Sequence, residues 1–109
     1  MTKENIVILE LVSGARVIGE LNAPAGPIHY SLNEPRLIRL AMDSMGRTAV
    51  MMLDIDAPYA ATPTKEASIP VSCVIRDPLR YDNINEDLLN SYISTVSGIA
   101  MPSKGDVII

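Results

Sequence analysis

The run Leu11-Val12-Ser13-Gly14-Ala15-Arg16-Val17-Ile18-Gly19-Glu20-Leu21 constrains this chain more than any other. An apolar strand enters a Ser-Gly turn and returns as a second strand with a glycine inside it. Glycine at the turn accepts the positive φ of a tight hairpin. Gly19, inside a strand, has no side chain to pack, so it marks a bend or a close approach of backbones. A small sheet that curls around one core needs such a bend. The first strand is expected over residues 5–12. Val7, Leu9 and Leu11 share one face and Ile6 and Ile8 the other, so both faces of its first half are covered. The second spans 16–22, with Val17, Gly19 and Leu21 inward and Arg16, Ile18 and Glu20 outward.

The pattern continues through an irregular loop at 23–27 and a third strand over Arg36 to Met42. A turn over Asp43-Ser44-Met45-Gly46 leads to a fourth strand, Thr48 to Ile55. Its apolar run from Ala49 to Leu53 suits burial on both faces. After a loop from Pro58 to Glu66, a fifth strand covers Ile69 to Arg76, and Pro70 confines its start to an edge or an unpaired position. The period then becomes helical, with Leu88, Leu89, Tyr92, Ile93 and Val96 on one face. Asn83 with Glu86 reads as a capping box and Gly98 as the residue after the last turn, giving one helix over 84–97. The tail, 100–109, either frays or adds a strand to a neighbour.

These elements make one domain, 1–109, divided into a β part over 5–80 and a helix and tail over 81–109. Closely spaced strands joined by Gly/Pro turns predict a mainly β fold, a small antiparallel barrel with one C-terminal helix. With no Phe and no Trp, the core is expected from Ile, Leu, Val and Met. Met42, Met45, Met51 and Met52 fall around strands three and four, as core filling or a subunit interface. Hydrophobic residues make up 48% of the chain and mean hydropathy is +0.21, which fits either an ordinary well-packed core or apolar surface covered by a partner subunit. The net charge of −4 argues against strong non-specific binding to duplexes, whose affinity comes from phosphate neutralisation.

Catalytic chemistry finds little support. The lone Cys73 sits in an apolar run as a small hydrophobe, without a disulfide partner or a cysteine cluster for zinc. His29 is the single histidine, and no second ligand stands at metal spacing. Asp54 and Asp56 read as a solvated strand end. The expectation is no enzyme, no metal and no cofactor. No apolar run is long enough for a membrane span, so a cytoplasmic protein with no membrane partner is expected.

The spacing of Gly14, Val17, Gly19 and Leu21 resembles the first motif of the Sm-like family. Leu32-Asn33 matches the end of that motif, with His29 where the family has an aspartate. Val74-Ile75-Arg76 resembles the second motif, with Asp77 in place of its glycine. The family's helix precedes the barrel, whereas here it follows. Within the family the chain looks most like short Sm-like proteins ascribed to cyanophages. The resemblance implies a strongly bent five-stranded antiparallel barrel and a closed homo-oligomeric ring of five to seven subunits. Strand four of one subunit would pair with strand five of the next. It also implies single-stranded RNA binding at the pore, with Asn33 and Arg76 as base-edge and phosphate contacts. Tyr30 or His29 would supply a stacking face. For a phage-encoded member the location would be the host cytoplasm. The alternative is a scaffolding ring that docks proteins through its helix and tail. Convergence of Arg16, Arg36, Arg39 and Arg76 would favour RNA; an acidic rim would favour the scaffold.

Overall fold

The computed structural model describes residues 2–22, 28–56, 59 and 61–97, with the backbone of 107–108. The expected loop at 23–27, Pro58, Gly98 and the rest of the tail lie outside the described residues. In chain order the elements are β1 (Ile6–Glu10), β2 (Arg16–Leu21), β3 (His29–Met42), β4 (Thr48–Asp54), β5 (Glu66–Pro70), β6 (Leu79–Arg80), α1 (Glu86–Ser97) and β7 (Val107–Ile108). The strands form one antiparallel sheet in the order β6-β1-β2-β3-β4-β7, with β5 added to β3.

The fold is therefore mainly β with one C-terminal helix, but the expected closed five-stranded barrel is corrected to an open sheet of seven strands. The expected fifth strand ends early, at Pro70, where a 3-10 turn over Val71–Cys73 begins. The chain returns to β1 and its end through a Leu11–Val74 bridge, the Ile75 N–H bond to the Glu10 carbonyl and the two-residue β6. Pro70 and Pro78 have no N–H to give, so a continuous ladder from β5 to β1 is interrupted at both.

Strand β3 begins at His29 rather than Arg36 and runs for 14 residues. Pro35 breaks the alternation, and the chain kinks there instead of stopping. Residues 29–33 pair with β5, while 36–42 pair with β4. Strand β2 lies against both halves, through Arg16–Ile18 on one side of a register shift and Glu20–Leu21 on the other. Gly19 sits at that shift. A Cβ there would meet Leu32 Cβ at 3.0 Å and the Asn33 carbonyl at 3.3 Å, so the close approach expected at this glycine is present. At the kink Glu34 takes φ 49°, a region that non-glycine residues rarely occupy. Two bonds hold it there. The Glu34 N–H donates to the Lys65 carbonyl at 2.7 Å, and the Tyr92 hydroxyl donates to the Glu34 carbonyl at 2.7 Å, with the Asn33 carbonyl 3.3 Å away.

Two apolar clusters follow from this bend. Val7, Leu9, Val17, Leu32 and Ile69 form the inner one. Ile6, Ile8, Ile18 and Val50 form the other with Ile84, Leu88, Leu89 and Tyr92 from around α1. Strand β1 is thus buried on both faces, as its sequence predicts. Ile18, expected outward, is fully buried because α1 covers that face. The helix starts after Asn85, whose Oδ1 accepts from the N–H groups of Asp87 at 3.0 Å and Leu88 at 3.2 Å. The expected cap, Asn83, instead closes a 3-10 turn over Tyr81–Asn83. In β4 only Val50 is buried, and Met42, Met45 and Met51 are exposed, so most of the methionine set does not fill the core. The tail strand β7 does pair, but with β4 of its own chain, Val107 opposite Val50 and Ile108 opposite Ala49.

The β3–β4 turn is fixed by Asp43. Its carboxylate accepts from the N–H groups of Met45 and Arg47 and from Arg47 Nε, each at 2.9 Å. The hydrogen bond from the Arg47 backbone leads in holding that carboxyl below its ordinary range.

Gly19→Val should destabilise the fold by roughly 1–3 kcal/mol, the usual cost of overpacking, seen as a lower urea midpoint. Burial raises the Tyr92 phenol well above its ordinary value, against the opposing pull of Arg36. A raised acid stabilises the fold fully below the unfolded value of about 10 and loses that contribution as pH rises beyond it. Tyr92→Phe should therefore cost about 1 kcal/mol at neutral pH and make the loss of stability above about pH 10 shallower.

Candidate functional site

A groove of about 660 Å³ opens between the β1–β2 turn, the second half of β3 and the segment that leads into α1. Its floor is aliphatic, with Ile8, Ile38, Val50 and Leu88 among the lining residues. Its rim carries Arg16, Arg39, Arg76 and Arg80, faced by the carboxylates of Glu10 and Asp77. Four of the chain's six arginines thus line one groove, so an acidic chain carries a locally cationic surface.

The fold places each arginine by a separate device. Arg16 opens β2 and lies opposite Glu10 across the hairpin. Arg39 projects from β3, opposite Met51 of β4. Arg76 follows the Leu11–Val74 bridge, and the Ile75 N–H donates to the Glu10 carbonyl at 3.0 Å, which holds that segment against β1. Arg80 pairs with Val7 in the short β6.

Glu10 joins two of them. Its Oε1 lies 3.0 Å from Arg76 Nε and its Oε2 lies 3.7 Å from an Arg16 guanidinium nitrogen. Arg39 and Arg80 are exposed, and neither side chain forms an ion pair or side-chain hydrogen bond among the described residues. Arg36, grouped with these arginines on sequence, does not join them. It is buried, bonded to the Pro35 carbonyl at 3.0 Å and to Glu34 at 3.3 Å beside the kink.

The other sequence candidates lie elsewhere. His29 is half-buried at the start of β3, opposite Pro70. Tyr30 is half-buried and packs against the inner apolar cluster. Asn33 lies within β3, between Glu20 of β2 and Glu66 of β5. It donates to Asn22 Oδ1 and to Glu20 Oε1, while Asn22 donates to Ser31 Oγ and Ser31 to Glu66. That polar ladder sits at the end of β2 away from Arg16, so the single chain does not bring Asn33 and Arg76 together.

Sequence reasoning missed Arg80 and Glu10. Glu10 and Arg16 stand three residues either side of Ser13, a cross-strand pairing that hairpin symmetry makes readable. Arg80 carried no such signal, because β6 has only two residues. The Asp54 and Asp56 carboxylates accept hydrogen bonds from Thr64, and the described residues hold no cluster suited to a metal ion. Cys73 is half-buried against the inner cluster. No helix among the described residues is long and apolar enough to cross a membrane.

No protein-family model matches the chain, and no curated protein is similar to it in sequence.

Asn33→Ala should lower stability by about 1 kcal/mol, because it removes a donor shared by two partners in the ladder. Urea denaturation monitored by circular dichroism measures this.

Proposed function

We propose that this chain is a non-catalytic, Sm-like module that binds single-stranded RNA as a homo-oligomeric ring. The observation that carries the RNA reading is the convergence of Arg16, Arg39, Arg76 and Arg80 on one groove. Guanidinium groups bind phosphate oxygens in a planar fork and also stack on bases. Single strands expose both groups, whereas a duplex keeps its bases paired and stacked inside. Arg76 belongs both to this groove and to the segment that resembles the second Sm motif. Asn33 and His29 remain candidate pore contacts contributed to a ring.

The ring reading is supported by surface that a lone subunit leaves uncovered. Leu40, Met42, Met45 and Met51 are exposed along the far half of β3 and β4. Strand β5 pairs on one side only, with β3, among the described residues. Exposed apolar surface and an unpaired edge are what strand addition by a second copy would cover. The bends at Gly19 and Glu34 fit the strong curvature of an Sm-like sheet. The reading is of a cytoplasmic protein, in the host cytoplasm for a phage-encoded chain.

Light scattering should give a mass five to seven times that of one chain, as the family resemblance implies. Fluorescence anisotropy should show U-rich and A-rich RNA bound with salt-dependent affinity. Replacing both Arg39 and Arg80 by alanine should weaken both RNAs alike and reduce the salt slope by roughly 1.4, about 0.7 for each lost phosphate contact. A ring that ignores RNA would instead support the scaffold. A monomer would overturn the ring.

A further inference from the structure

The four rim arginines are not equivalent. Arg16 and Arg76 share one internal anion, Glu10, whose two oxygens point to different guanidinium groups. Its side chain is only 18% exposed, against 53% for Arg16 and 70% for Arg76, so the carboxylate sits behind the arginines and draws them together. Its position is set by the backbone: the strand holding Glu10 is paired on one side with Arg16 and accepts the Ile75 N–H on the other. The second groove carboxylate, Asp77, forms no ion pair among the described residues.

We infer that Glu10 is a built-in competitor for the ligand's phosphates, which occupies Arg16 and Arg76 and leaves Arg39 and Arg80 to make the phosphate contacts. The inference rests on the RNA reading of the groove and adds how that groove limits its own affinity. A bound strand gains two phosphate contacts at the free arginines and finds the other two already engaged by one carboxylate, which cancels half of their combined charge. The consequence is weak, readily reversed binding by each subunit. Removing the Glu10 charge releases two further cations, whereas removing the Asp77 charge changes the local field and releases none.

The number of phosphate contacts is read from the salt slope, roughly −0.7 per contact for a single strand. The probe is a labelled five-nucleotide uridine RNA, and the proteins are the full chain, Glu10→Gln and Asp77→Asn. Two contacts predict a slope of about −1.4 for the unaltered chain, or about a sevenfold loss of affinity from 50 to 200 mM salt. Four contacts in Glu10→Gln predict about −2.8, or roughly a fiftyfold loss over the same range. Asp77→Asn should bind somewhat more tightly with the slope of the unaltered chain. A Glu10→Gln slope equal to that of Asp77→Asn would overturn the role of Glu10 and leave the RNA reading intact. If none of the three binds the RNA, the RNA reading falls, and the same series with tripolyphosphate decides Glu10 alone. A steeper slope in Glu10→Gln would uphold the competitor. Equal slopes, or no binding of tripolyphosphate, would overturn it. Circular dichroism confirms that each variant is folded.

Discussion

The structure depends on one kink. Strand β3 belongs to both halves of the sheet, and its direction changes at Glu34 and Pro35. A non-glycine residue at positive φ is held only where its surroundings over-determine it. Here the Tyr92 hydroxyl and the Lys65 carbonyl fix the carbonyl and N–H of Glu34. The same tyrosine anchors α1 in the second apolar cluster. Helix docking and strand bending are thus coupled through one side chain. The bend turns the first half of β3 toward β5 and leaves the second half to form one wall of the groove.

Charge follows from that geometry. An acidic chain gains a cationic surface because the hairpin, the β3 wall and the segment before α1 each deliver arginine to the same place. Glu10 moderates it, while Arg36 is withdrawn from it into the kink, where Glu34 offsets its charge. Conformational and electrostatic demands meet at neighbouring residues, so a change at 34–36 would disturb both the bend and the groove wall.

Much of the framework was legible in the sequence. The hairpin at 11–16, the double burial of β1, the special role of Gly19 and the helical period of 88–96 all follow from local spacing. The long β3 was not, because Pro35 looks like an end when only alternation is read; its continuation depends on partners β5 and β4, far away in sequence. Ile18 looked solvent-facing because nothing in β2 announces that α1 will cover it. Asn85 rather than Asn83 caps the helix, since Asn83 is taken up as the last residue of the preceding 3-10 turn. The groove was legible in part: three of its arginines stood out, but their convergence is a tertiary fact. The apolar run of β4 misled because a continuous hydrophobic stretch does not say how many of its residues the rest of the chain covers.

The tail strand bears on that last point. Backbone groups at Ala49 and Val50 on the outer side of β4 are engaged by Val107 and Ile108 of the same molecule. A β-strand edge accepts one neighbour at a time. Any foreign strand that extends the sheet at these positions must first peel away the chain's own last residues, so growth of the sheet there is an exchange of partners rather than a simple addition.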